Sequence, residues 1–140
     1  MKQLLLLALL TLVGCASRGE YDFALVGPAE DLAQAQVAAD MWNGCQSVHV
    51  TVSYGAQPGK QTITFQEGDT VKGQAEGTRG YTDERGNITY VHVDTPVTTI
   101  LAHEFGHALG LDHRKDGIMR PTLRGGETVT GNDCAALDGR

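Results

Sequence analysis

One hundred and forty residues with 41% hydrophobic and 20% charged side chains amount to about one globular domain, which argues against a multi-domain chain or a solenoid. Eighteen glycines against 6% aromatics point to many turns and a modest core, so a sheet with a few helices fits better than a helical bundle. Eleven Lys and Arg against 17 Asp and Glu leave a net charge of −6 with no basic run, which argues against nucleic acid and against a polybasic membrane surface, both of which need clustered cations.

At the N-terminus Lys2 precedes an apolar stretch from Leu4 to Val13, and the small residues Gly14, Cys15, Ala16 and Ser17 follow, which is the layout of a secretory signal. The apolar stretch is too short to span a bilayer, which needs about 20 residues. Leu12-Val13-Gly14-Cys15 resembles the lipobox of bacterial lipoproteins, in which cleavage before the cysteine exposes it for acylation; an ordinary signal with an incidental cysteine is the other reading. The lipobox implies a signal peptide at 1–14, a lipid-anchored tether at 15–20 and a domain at 21–140. It also implies a membrane partner reached through Cys15, since two or more acyl chains give stable attachment. The expected location is the bacterial cell envelope, at the outer membrane facing the periplasm in a Gram-negative host, because Ala16 is not the Asp that favours inner-membrane retention. An exported chain meets an oxidising compartment, so Cys45 and Cys134 read as a disulfide, the alternative being two unpaired buried thiols.

The predicted elements follow in chain order. Tyr21 to Val26 alternates as a first strand and stops at Gly27-Pro28. Asp31 to Trp42 has the helical period, with Leu32, Ala35, Ala38, Ala39 and Trp42 on one apolar stripe and Asn43-Gly44 as terminator. Ser47 to Tyr54 alternates with Val48, Val50 and Val52 on one face, which leaves His49 as a polar-face residue. Gln61 to Phe65 is a shorter strand, and the glycine-rich stretch from Gly68 to Gly86 reads as a long loop with an irregular edge strand around Gly77 to Thr82. Ile88 to Val93 is the last strand, placing Ile88, Tyr90 and His92 opposite Thr89, Val91 and Val93, with His92 and Asp94 at a solvated end. A short helix over Asn132 to Asp138 closes the chain, capped by Asn132 or Thr130.

The chemistry lies between Thr98 and His113. His103 and His107 are four apart, so on a helix both imidazoles leave the same face and can reach one ion. Glu104 stands beside the first, placed to work on a water without being a ligand, which is the H-E-x-x-H arrangement. Gly110 breaks the helix through a positive φ, and the turn returns His113 as a third ligand. Three nitrogen ligands and an open fourth position describe a catalytic zinc site with one ion, whereas a structural site is closed by four protein ligands. Met119, six residues beyond His113, fits a methionine turn beneath the metal.

The eleven residues H-E-F-G-H-A-L-G-L-D-H and the turn Met119-Arg120-Pro121 resemble the zinc segment and M-x-P turn of the matrixins, a metzincin family of zinc metallopeptidases. The resemblance implies an α+β, zincin-like domain: a twisted mixed sheet of four to five strands with an N-terminal helix, an active-site helix and a short C-terminal helix. It implies that His103, His107 and His113 hold zinc, that Glu104 is the general base, that Met119 supports the site and that Pro121 walls the S1′ substrate pocket. Arg114 departs from the Ser that matrixins usually carry after the third histidine. The function implied is a zinc endopeptidase, a monomer acting on protein or peptide substrates. The alternative is a non-catalytic envelope lipoprotein that keeps its zinc site as a structural or binding module.

Overall fold

The computed structural model describes residues 18–140, so the expected signal peptide and the expected lipidation site Cys15 lie outside the described residues. Eight elements follow one another: β1 (Gly19–Val26), α1 (Asp31–Asn43), β2 (Val48–Tyr54), β3 (Gln61–Phe65), β4 (Gly80–Thr82), β5 (Ile88–Tyr90), α2 (Val97–Ala108) and α3 (Gly131–Asp138). The strands form one mixed sheet in the order β2-β1-β3-β5-β4, parallel except for β4, which runs antiparallel to β5 at one edge. This is the expected α+β architecture of five strands and three helices.

Three boundaries differ from the expectation, each for a reason outside the local pattern. β1 starts two residues before Tyr21 because the Gly19 amide donates to Ser47 O at 2.8 Å, and Gly19 pairs with Val48. The Arg18 side chain reinforces that start by donating to the carbonyls of Val48, Asn43 and Cys45. Residues 18–20 of the expected 15–20 tether therefore belong to the folded domain. β4 occupies only Gly80–Thr82 of the expected 77–82. β5 ends at Tyr90 rather than Val93, and Val91 is fully buried next to Tyr90 where alternation demands opposite environments, because the chain turns there toward α2.

The core lies between the sheet and the two longer helices. Trp42, fully buried near the end of α1, donates from Nε1 to Ala102 O at 2.8 Å, which pins α1 to the turn of α2 just before His103. The Phe23 ring of β1 meets Phe105 of α2 edge-on at 4.9 Å between centroids. Asp31, 2% exposed, accepts from the Tyr90 hydroxyl at 2.5 Å and pairs with His92 Nε2 at 2.6 Å. Tyr90 at the end of β5 and His92 just beyond it both reach this carboxylate, so His92 is anchored by one ring nitrogen and is not simply solvated.

Cys45 and Cys134 are joined by a disulfide with 5.1 Å between their Cα atoms, tying the end of α1 to α3. Of the two possible caps for α3, Thr130 is the one used. Its side chain accepts from the Asp133 amide while the Asp133 carboxylate accepts from the Thr130 amide, a reciprocal capping box that starts the helix at Gly131.

Candidate metal and catalytic site

Helix α2 begins with the β-branched run Val97-Thr98-Thr99-Ile100, which is a poor intrinsic start. Burial compensates: Val97 and every residue from Thr99 to Gly106 are buried. The helix stops where the sequence places Gly110. With φ at +94°, Gly110 donates to His107 O and Leu111 donates to Gly106 O, both at 2.8 Å, which is the Schellman pair of bonds. The reversal sends Asp112 and His113 back along the face that carries His103 and His107.

His103, His107 and His113 converge as expected. His103 Nε2 lies 3.0 Å from His107 Nε2 and 3.3 Å from His113 Nε2. They are the one group among the described residues that brings three candidate ligand atoms within 4.8 Å of one another. Their tautomers decide what those short distances mean. His103 Nδ1 faces Ile118 O and His107 Nδ1 faces Leu111 O, each at 2.7 Å, and a carbonyl only accepts, so both protons sit on Nδ1. The Nε2 atoms of His103 and His107 thus bring two lone pairs together, an arrangement that a shared cation stabilises. Two ligands each 2.0–2.1 Å from a tetrahedral zinc stand about 3.3 Å apart, so the donor set and its spacing fit that ion.

The electrostatics agree. Burial pulls the His103 ring down to about 4, reinforced by the neighbouring His107 and His113 and opposed by the bond to Ile118, and burial likewise lowers His107. Both rings are neutral at physiological pH and available as ligands. Burial pushes the Glu104 carboxyl up to about 7, against a hydrogen bond from Thr82 that favours the ionised form.

The remaining expected residues fall around this centre. Met119 is fully buried below it, and the Arg114 amide donates to Met119 O at 2.8 Å, so the position that departs from the matrixin pattern closes the 114–119 turn through its backbone. Pro121 lines a cavity of about 380 Å³ together with Gly80, Ile100, His103, Glu104 and His113. A second cavity of about 320 Å³, with Tyr81, Asp83 and Asp112 on its walls, opens on the other side of the same histidines. The site therefore lies in a cleft between edge strand β4 and the 111–123 segment. His49 and His92 take no part in it. The residue that sequence reasoning missed is Thr82, whose hydroxyl reaches Glu104 from β4; its only signal was membership of a possible edge strand.

A mixed sheet with its edge strand along a three-histidine cleft defines a metzincin-type domain. The family profile of the matrixins, a peptidase family, matches residues 44–138, about two thirds of the chain, and the chain belongs to that family. Among solved structures the chain is similar to the crystal structure of myroilysin, at 19% sequence identity and a TM-score of 0.49, covering 71% of this chain and 48% of that one. The chain thus spans about half the length of myroilysin. No curated protein matches it.

Proposed function

We propose that this chain is a zinc-dependent endopeptidase in which His103, His107 and His113 hold one zinc ion and Glu104 is the general base. The observation that carries the reading is the convergence of three imidazole nitrogens, two with tautomers fixed by backbone carbonyls, beside a buried carboxylate at the floor of an open cleft. Matrixin membership supports it. Zinc held there supplies Lewis acidity, which polarises a peptide carbonyl and acidifies water. Glu104 would take the proton from the attacking water and return it to the leaving amine. A peptide lies extended beside β4, adding main-chain hydrogen bonds to the sheet edge, with one side chain entering the cavity beside Pro121.

The same proposal places the protein at the bacterial envelope, held through an acylated Cys15 and acting as a monomer on proteins or peptides there. The lipobox-like Leu12-Val13-Gly14-Cys15 supports the location.

The test is peptide cleavage by zinc-loaded full-length protein against a diverse peptide library, with Glu104→Ala as control. Wild type should cleave, and Glu104→Ala should bind zinc equally well yet lose about 10² to 10⁴ in rate. Zinc-loaded wild type that cleaves nothing would favour the binding-module alternative, and Glu104→Ala that cleaves at wild-type rate would remove Glu104 from the mechanism.

A further inference from the structure

Gly80 and Thr82 are alternate residues of β4, so they share a face, and that face lies on α2 directly over Glu104. A Cβ on Gly80 would stand 2.6 Å from Glu104 Oε1, 2.8 Å from Glu104 Cγ and 2.9 Å from Ile100 Cγ2, so the strand backbone itself forms the wall against which the carboxylate rests. Two residues on, Thr82 Oγ1 lies 2.7 Å from Glu104 Oε2 and 3.1 Å from the Glu104 backbone oxygen. A hydroxyl has one proton to give, and the shorter contact, to Oε2, takes it. Tyr81 points the other way and is 39% exposed.

We infer that Thr82 is a positioning residue for Glu104: its hydroxyl, donated to Oε2, and the Gly80 backbone, packed on Oε1, hold the carboxylate in one orientation at the cleft. This rests on the peptidase reading and deepens it. A glutamate carboxylate has three side-chain torsions of its own, and a general base contributes fully only when its lone pair is held at the proton it must take. Glu104 is 5% exposed, so solvent does little to hold it, and Thr82 is the side chain that does. The hydroxyl comes from the strand along which substrate is proposed to lie, so the strand that would align the peptide also aligns the base. The hairpin from β4 to β5 makes the strand rigid there: the Asp83 carboxylate accepts from the amides of Arg85 and Asn87 at 2.8 and 2.9 Å, while Asn87 Oδ1 accepts from the Thr62 amide of β3 at 3.1 Å.

The experiment compares Thr82→Val, which keeps the shape and removes the hydroxyl, with Thr82→Ser, which keeps the hydroxyl, in the zinc-loaded full-length protein. Thr82→Val should lower kcat about 10- to 100-fold with KM and zinc content within about twofold of wild type, the size of effect that a misplaced catalytic group produces. Thr82→Ser should recover most of kcat, which a purely packing role would not allow. A second readout needs no activity: the shift in urea midpoint caused by Thr82→Val should be at least about twice as large in the wild-type background as in Glu104→Ala, because the bond to Oε2 is absent from the latter. Equal shifts in the two backgrounds would overturn the hydrogen bond, and unchanged kcat in Thr82→Val, or Thr82→Ser as slow as Thr82→Val, would overturn its catalytic use. Wild-type protein that cleaves no peptide is a different failure, that of the peptidase reading, and the urea comparison tells the two apart.

Discussion

Met119 Sδ occupies the space that a side chain on Gly106 would need, standing 2.1 Å from where its Cβ would be. Trp42 Cζ2 lies 2.9 Å from the same point. Gly106, the residue just before His107 in His103-Glu104-Phe105-Gly106-His107, is thus where the methionine turn and the tryptophan of α1 both press on α2. Met119 and Trp42 are both fully buried, so either must repack against its neighbours to make room.

Gly106→Ala should therefore destabilise the protein in spite of its better helix propensity. Alanine gains about 1 kcal/mol over glycine in a helix interior. Overpacking costs about 1–3 kcal/mol and more where nothing can move. The second effect wins, and the melting temperature should fall by several degrees. Gly106→Ala should cost less in a Met119→Ala background than in wild type, because the clash with Sδ is gone. An alanine variant as stable as wild type in thermal unfolding would show that Met119 is free to shift.

The disulfide acts on the same turn from the other side. Cys134 lies next to Asp133, whose carboxylate oxygens approach Gly117 so closely that a Cβ there would stand 2.7 Å away. Gly117, at φ +72°, lies just before Ile118, whose carbonyl fixes the His103 tautomer. A link of sequence separation 89 restricts the unfolded chain by about 4–5 kcal/mol in the chain-entropy model. Reduction, or a Cys45→Ser and Cys134→Ser double variant, should lower the melting temperature by more than about 10 °C for a domain of this size. Unreduced peptide mapping should find the two cysteines joined, and free thiols at both positions in periplasm-derived protein would contradict the link.

What was legible in the sequence was what lies close along the chain. His103, Glu104 and His107 share one helix, and Gly110 announces both its end and the return of His113, so local spacing alone sufficed. The α1 stripe and the Val48, Val50 and Val52 face were readable for the same reason. The Thr82 contact was not, since it joins residues 22 apart and exists only because β4 folds antiparallel onto β5 and over α2. Asp31 reads as an ordinary first-turn acid and His92 as a strand-end residue, yet 61 residues of chain bring them together. The early start of β1 was hidden too, because the carbonyl that pairs with Gly19 belongs to Ser47. Periodicity reports which face is apolar; it does not report which strand lies beside which.

The β4–β5 turn carries a pH signature. Burial raises the Asp83 carboxyl, but the hydrogen bonds from Asn87 and Arg85 outweigh it and hold the group below its ordinary value of 3.8. A folded value below the unfolded one means that the stabilisation is present above about pH 4 and is lost as pH falls through the folded value. Asp83→Ala should thus be less stable than wild type at neutral pH, by about 1–2 kcal/mol for the lost bonds to a charged acceptor. The gap should narrow as pH falls below the ordinary carboxylate range and Asp83 takes up its proton. Urea unfolding of both proteins between pH 2 and 7 measures it, and a gap that does not change with pH would mean that the turn is held by other groups.

The metal assignment makes the last prediction. His107 is one of three converging donors and also gives its Nδ1 proton to Leu111 O, so His107→Ala removes a ligand without adding a competing group. Two histidines are too few for a tetrahedral zinc site, and zinc per chain after dialysis should fall from about one to a small fraction of that. Stability provides an independent measure. A ligand that binds only the folded state raises its stability by an amount that grows with concentration over Kd, about 2.7 kcal/mol at a hundredfold excess, so zinc should raise the wild-type melting temperature by several degrees. His107→Ala should show almost no zinc response. Full zinc content in His107→Ala, or a zinc-dependent rise in its melting temperature equal to that of wild type, would place the metal elsewhere.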